Sequence, residues 1–394
     1  MDEDSGLPLA GLKVVEFTHM VMGPAAGLIL GDLGADVIKI EPPGGDKTRR
    51  LRGAGAGYFP MYNRNKRCIS VDVKSEEGKA VVRRLIDKAD ILVENFREGA
   101  MQRLGFDYDS LAVTNPALIY CSEKGFLDGP YENRTALDEV AQMMGGLAYM
   151  TGPPGRPLRA GGSIIDVMGG MFGVIGILAA LEQRRRTGRG QMVKASLFES
   201  VVFLMGQHMA QFAVTGAPAK PMPVRISAWA IYDLFETREG EQIFVGVVTD
   251  GQWRIFCKDF GLEDWLTDES IATNSQRVER RDEILPRLRA LFARFPLDEL
   301  VAKLESAGLP FAPVGKPEDM FDDPHLTASG GLLDLALPDG QQTRLPALPL
   351  ALGGARFGVR HDIREPGQDT AAVLREFGWS ESEIASFRQH GVIR

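Results

Sequence analysis

Carboxylates come first among the side chains of this chain that could do chemistry. Asp138 lies in the segment TALDEVAQMMGG, where Thr135 or a neighbour can open a helix, so its carboxylate falls in the first turn. The helix dipole favours an anion there, and an ionised carboxylate is the form a nucleophile needs. Attack on a thioester carbonyl would leave an acyl anhydride on the protein, and the amides of Gly145 and Gly146 are candidates to stabilise the oxyanion. The plainer reading of an Asp at a helix start is a cap. Basic side chains form a second set. Lys66, Arg67, Arg103 and Lys124 lie near expected strand ends, where open α/β sheets bind their ligands, and their cations suit phosphates. Solvated surface charge is the alternative for each, and the run Arg184-Arg185-Arg186 reads as a helix C-terminus.

Other chemistries lack their residues. The turn after the first expected strand reads THMVMGPAAG, which is not the GxGxxG that lets backbone approach a dinucleotide pyrophosphate. The chain has no GxxxxGK[ST] and no GxSxG, and its five histidines (His19, His208, His325, His361, His390) form no HExxH. Its three cysteines are far apart, as expected in a reducing compartment, and the cytoplasm is the expected location. With 45 basic and 53 acidic side chains the net charge is -8, which gives nucleic acid or an anionic membrane nothing to attract it. The start of the sequence is acidic where a signal peptide would be basic. No apolar stretch is expected to reach the length of about 18 residues that a membrane span needs.

The elements that must position these groups alternate. LKVVEF, then a helical pattern through AAGLILGDLG ending at Gly34, then VIKIE give strand, helix, strand. RCISVDV, a helix opened by Ser75, ILVENF and LIYCSEKGF continue the pattern, so the first 130 residues read as α/β with a parallel sheet of the Rossmann-like kind. A helix-rich stretch follows to Gly216, and APAKPMP breaks it as a linker. AIYDLFETREGEQIFVGVV reads as strand, turn, strand, opening a smaller α+β domain, and two short helices close the chain. The expected organisation is a large domain over 1–216, a small one over 217–320, and a return to the large domain over 321–394.

Taken together, the segments LAGLKVVEFTHMVMGPAAGLILGDLGADVIKIEPPGGD, YNRNKRCISVDVKSEEGK, ADILVENFREGAMQRLGFDYDSL, NPALIYCSEKGF, ALDEVAQMMGGL and ALEQRRRTGRGQMVKASLFES resemble the class III CoA-transferases, or CaiB/BaiF family. The resemblance covers nearly the whole chain. It implies a Rossmann-like domain built from both ends of the chain, a smaller middle domain, and two subunits threaded through each other as an interlocked homodimer. It also implies an Asp nucleophile at Asp138, with aspartyl anhydride and aspartyl-CoA thioester intermediates. CoA is then a substrate, acyl-CoA and small carboxylic acids are the partners, and no metal or redox cofactor is called for. The family's CoA contacts fall on His19, Val71, Val73, Lys74, Asn95, Phe96, Arg103 and Lys124.

Departures narrow the substrate. Formyl-CoA:oxalate relatives carry Gln where this chain has Val21, and their Gly-rich loop is absent, so oxalate is disfavoured. PVRISAWAIYD stands where dicarboxylate-using relatives read HPxxxPY. Arg225 is therefore the expected partner of a distal carboxylate, with Ser227 or Trp229 beside it, and a succinyl-CoA-like donor with a dicarboxylic acceptor is the expected pair. One rival is a 2-methylacyl-CoA racemase of the same fold, which needs two proton-transfer groups. Its branch has a His where this chain has Leu137, although Asp166 matches an acidic position that both branches carry. A CoA-binding protein without catalysis is the other.

Overall fold

A computed structural model describes residues 6–225 and 227–394. The chain divides into two units, Met1–Pro223 with Pro324–Arg394, and Val224–Asp323. The Pro-rich passages put these joints at 217 and 320 instead.

The first unit is built on a six-stranded parallel sheet: β1 (Lys13–Phe17), β2 (Asp36–Glu41), β3 (Lys66–Ser70), β4 (Ile91–Glu94), β5 (Ile119–Lys124) and β6 (Met192–Ser196), in the order β3-β2-β1-β4-β5-β6. Its helices are α1 (Met22–Asp32), α2 (Tyr58–Tyr62), α3 (Glu76–Ile86), α4 (Ala100–Leu104), α5 (Tyr108–Ala112), α6 (Asp138–Met144), α7 (Leu147–Thr151), α8 (Ile164–Thr187) and α9 (Leu197–Thr215). The expected α/β class and Rossmann-like parallel sheet are both present. Strand order reverses between β1 and β4, so their C-terminal ends frame the crevice where such sheets bind ligands.

Alternation along each strand divides the core in two. Val15, Phe17, Ile38, Ile40 and Leu92 join α3 and the C-terminal helices Thr370–Glu376 and Glu381–Gln389 on one face. Val14, Val37, Ile91, Val93 and Cys121 meet α1 and α8 on the other. Sequence signals explain the helix ends. Ser75 caps α3 by accepting from the Gly78 N–H, and beyond α1 Gly34 takes φ +107°, a left-handed turn that costs glycine nothing.

Helix α8 corrects the expectation about apolar stretches, since its 24 residues are long and apolar enough to cross a membrane by length and composition. Here one face of it is core: Ile165, Gly169, Gly170, Gly173, Val174, Ile177 and Ala180 are buried. Its glycines let it lie close on α1. A Cβ on Gly170 would come within 2.6 Å of the Met22 carbonyl oxygen. Strand β6 lay inside the stretch read as helical. It is a five-residue edge strand whose first and third residues are exposed, so it leaves little hydrophobic pattern.

The second unit has β7 (Ile231–Glu236) and β8 (Gln242–Val247) paired antiparallel, with a third strand, β9 (Phe311–Pro313), on β8. Its own core gathers Phe235, Phe256, Phe292, Trp253 and Trp265.

Candidate active site

At the strand reversal, the loop after β1 meets the loop after β4. The His19 N–H donates to Asn95 Oδ1 at 3.0 Å, Asn95 Nδ2 donates to the His19 carbonyl at 2.9 Å, and the His19 ring stands edge-on to Phe96 at 5.6 Å. Three of the expected CoA contacts are thus one cluster. Val73 packs against the same core as Phe96, and Lys74 is exposed beyond β3. Val71 is fully buried, bridged to Ile393, so its side chain is structural. Arg103, in the last turn of α4, is exposed and has no ion pair among the described residues, which leaves its guanidinium available to a phosphate.

Three of the basic residues depart from expectation. Lys124 Nζ donates to Glu94 Oε2 at 3.0 Å and to the Phe96 carbonyl at 2.6 Å, while the Phe96 N–H donates to Glu94 Oε2 at 2.9 Å. With its charge met by Glu94, Lys124 braces Phe96 rather than offering a cation to ligand. Lys66 and Arg67 begin β3, at the end of the sheet away from the crevice. Lys66 is fully buried, donating to Glu16, Asn63 and the Pro24 carbonyl, and Arg67 is bound by Asp36 and Glu376.

The carboxylates lie where the first turn of α8 meets the first turn of α6. Asp138 is 6% exposed, and both its oxygens are taken. Oδ1 accepts from Gln142 Nε2 at 2.5 Å and from Arg159 Nη2 at 3.3 Å. Oδ2 accepts from the main-chain N–H groups of Ile165 at 2.8 Å and Asp166 at 3.1 Å. Asp138 therefore caps α8 as well as starting α6, and the amides that hold its charge come from residues 27 and 28 positions onward. Gln142 is oriented in turn, because its Oε1 accepts from the Ala160 N–H at 2.9 Å. A nucleophile needs an exposed oxygen with a free lone pair, which Asp138 lacks; the expectation that it attacks does not fit this geometry.

Asp166 differs on each count. It is the acidic residue in the first turn of α8, partly exposed, and its carboxylate accepts no hydrogen bond among the described residues. Burial first, and then the like charge of Asp138, push its carboxyl up to about 7 against the opposing pull of Arg159. Tyr62, the last residue of α2, faces the same charge: burial and then Asp166 push its phenol up.

The remaining expected residues have backbone roles. The Gly145 N–H is taken by the Ala141 carbonyl at 2.8 Å, and a Cβ there would meet Val201 at 2.2 Å. Gly146 takes φ +89° to start α7. Both follow the C-terminal end of α6, about 10 Å along its axis from Asp138, so the expected oxyanion role has neither donor nor place. Val21 is 1% exposed, and its carbonyl accepts from Ala25 to open α1, so it is packed rather than ligand-facing. Arg225 belongs to the second unit. Sequence reasoning passed over Gln142 and Arg159. Gln142 was legible as an i, i+4 partner of Asp138, whereas Arg159 reaches Asp138 only through the fold of the 159–163 loop.

Glu16 on β1, Lys39 on β2 and Lys66 on β3 are fully buried. Lys39 lies 3.3 Å and Lys66 2.8 Å from Glu16 carboxylate oxygens. Burial opposes the Glu16 anion, but the two ammonium groups outweigh it and hold its carboxyl below the usual range. Glu123 has no such partner. Both its oxygens are buried without a hydrogen bond, and burial with the nearby Glu16 and Glu94 pushes it up to about 8.

A six-stranded parallel sheet whose order reverses between β1 and β4 places the chain among the α/β proteins that bind ligands at that crevice. The model of CoA-transferase family III matches residues 9–370. Among curated proteins the chain is 34% identical over 388 residues to the succinate–glutarate CoA-transferase of Agrobacterium fabrum, covering 94% of this chain and 95% of that one. It is 34% identical over 424 residues to the formyl-CoA:oxalate CoA-transferase of Escherichia coli O157:H7, covering 98% and 99%. A crystal structure of a CaiB/BaiF family protein from Brucella suis superposes with a TM-score of 0.84 at 35% identity, covering 94% and 99%. The chain belongs to CoA-transferase family III, and it is an enzyme of the transferase type.

Proposed function

We propose that this enzyme moves CoA from a succinyl-CoA-like donor to a small dicarboxylic acid, and that Asp166 is the attacking carboxylate. The observation that carries the assignment is the contrast between the two acids: Asp138 is filled by four donors, and Asp166 is partly exposed and free of them.

The Asp166 carboxylate adds to the donor thioester carbonyl and the CoA thiolate leaves, giving an aspartyl-acyl anhydride. The thiolate then attacks the aspartyl carbonyl, which releases the donor acid and leaves an aspartyl-CoA thioester. The acceptor carboxylate displaces CoA from that thioester, and the thiolate attacks the acceptor side of the new anhydride, regenerating Asp166. Each step exchanges one acyl bond for another without net proton transfer, so CoA serves as substrate and no redox group enters. His19, Asn95 and Phe96 would flank the CoA moiety and Arg103 its phosphates.

The dicarboxylate reading is supported by the succinate–glutarate relative and by the sequence at Arg225. An unchanged KM for dicarboxylates in Arg225→Ala would end that part of it. A homodimer is favoured by apolar side chains left exposed on one stripe of α8 (Ile164, Met171, Ile175, Leu178) and on α9 (Phe203, Met209, Phe212). The threading of two chains remains an expectation from the resemblance and a cytoplasmic location one from the cysteine usage, and light scattering would give the oligomeric state.

The test is mass spectrometry of CoA esters after mixing the enzyme with succinyl-CoA and a panel of acids (glutarate, mesaconate, itaconate, malate, citramalate, oxalate, carnitine). New esters that vanish in Asp166→Ala support the reading. No new ester, with deuterium uptake at the α-carbon of a 2-methylacyl-CoA, would replace it by the racemase.

A further inference from the structure

The loop between β1 and α1 is held in an unusual shape. Met20 has φ +63°, in the left-handed region that residues with a side chain seldom adopt, and it is one of two non-glycine residues there among those described. Side chains from outside the loop grip it at each step. Lys39 Nζ donates to the Thr18 carbonyl at 2.7 Å, Asn95 takes both the N–H and the carbonyl of His19, and the Met20 N–H donates to Thr48 Oγ1 at 3.1 Å. The Thr48 hydroxyl in turn points its hydrogen at Met20 Sδ, 3.9 Å away, so a single hydroxyl holds both backbone and side chain of the strained residue.

Thr48 is well placed to do this. It is 3% exposed, its own N–H is fixed by Asp46 Oδ1 at 2.9 Å, and Asp46 is held by Lys39 Nζ at 3.4 Å. The clamp and the loop thus hang from the same buried cation, Lys39, which grips Thr18 directly and Thr48 through Asp46.

We propose that Thr48 is a positioning residue for CoA-ester binding: its hydroxyl keeps Met20 left-handed, and so keeps the 18–20 loop in the shape that sets His19 against Asn95 and Phe96. The proposal rests on the reading that this loop receives the CoA ester. Without the hydroxyl, a side-chain-bearing residue relaxes out of the left-handed region, and only a fraction of molecules then holds the binding shape. Apparent affinity falls by that fraction. Once the ester is bound the loop is the same, so turnover is little changed.

Four variants test this: Thr48→Val, Thr48→Ser, Met20→Val and the pair Thr48→Val/Met20→Gly. Thr48→Val is expected to raise KM for the donor CoA ester about tenfold with kcat within about twofold, and to speed hydrogen exchange at the residue 20 amide by a similar factor. Thr48→Ser restores both. Glycine at 20 takes φ > 0 without strain, so the pair is expected to recover at least about threefold of the lost KM. Met20→Val, whose β-branch resists φ > 0, is expected to raise KM while leaving the Thr48 side intact, and it carries the test if Thr48→Val does not fold. A fall in kcat with KM unchanged, or no recovery in the pair, would mean that Thr48 only supports the fold. Exchange at residue 20 that is equally slow in Thr48→Val removes the clamp whatever the activity. If the wild type transfers no CoA, the functional reading fails, and the exchange data still decide the clamp.

Discussion

Replacing each carboxylate of the pair by its amide separates attack from support. In Asp166→Asn the carboxylate proposed to attack is gone, the main-chain N–H that bonds Asp138 remains, and turnover is expected to fall by at least about 10³-fold. Asp138→Asn keeps the shape and loses half the acceptors. Its amide nitrogen must face either the Ile165 and Asp166 N–H groups or the Gln142 and Arg159 donors, so donor opposes donor on one side. A buried polar group left without its partner costs about 1–3 kcal/mol. The expected loss is therefore about 2 kcal/mol of stability, with turnover down on the order of 10- to 100-fold as the first turn of α8 shifts. The assay is trapping of the aspartyl-CoA adduct during turnover, followed by tryptic peptide mapping. Cleavage after Arg134, Arg159 and Arg184 puts Asp138 and Asp166 on different peptides. The adduct is expected on the peptide from Ala160 to Arg184 in the wild type and in Asp138→Asn, and nowhere in Asp166→Asn. An adduct on the Thr135–Arg159 peptide would refute the argument from filled lone pairs and return Asp138 to the role of nucleophile.

Because burial and Asp138 push the Asp166 carboxyl up to about 7, kcat/KM should rise with pH below that value and level off above it; the midpoint should move down in Asp138→Asn, and a profile flat from pH 5.5 to 8.5 would contradict the assignment. Glu123 binds its proton more tightly folded, at about 8, than its ordinary value of 4.5, so the folded state is favoured below 4.5 and loses stability as pH climbs toward 8. Glu123→Gln should thus gain on the order of 3 kcal/mol near pH 8 and little near pH 4, read from urea midpoints at both; an equal gain at both would show that Glu123 does not titrate there. Gly170→Ala should cost about 1–3 kcal/mol in thermal unfolding and up to about 100-fold in turnover, since its methyl would press on the Met22 carbonyl; a silent substitution would mean that α8 and α1 have slack.

The sheet was legible because its strands are buried on both faces and read as apolar runs, as in LKVVEF and ILVENF, while Ser75 and Gly34 marked helix ends by capping chemistry. Strand β6 was hidden because an edge strand needs no such run. The cluster at the strand reversal was half legible. His19, Asn95 and Phe96 follow the ends of the two strands that flank the reversal, but whether a cation there is free or already spent, as with Lys124, depends on a carboxylate 30 residues away. The same limit governed the acids. Asp138 and Asp166 each begin a helix in the sequence, and only the folding of the 159–163 loop decides which one is saturated with donors.

Helix α8 also works as a strut. Its 24 residues make a rod of about 36 Å that runs from the carboxylate pair to the N-terminal ends of β4 and β5. There Arg184 ties it to Asp90 and the Ala117 carbonyl, and Asp90 holds the Lys13 N–H at the start of β1. The rod is therefore bolted to the sheet at its foot and seated on α1 one turn below Asp166. It cannot slide without breaking the Arg184 bonds or riding over the Met22 carbonyl. The height of the Asp166 carboxylate above the β1 loop is thus gauged by the length of a helix and the absence of one methyl group.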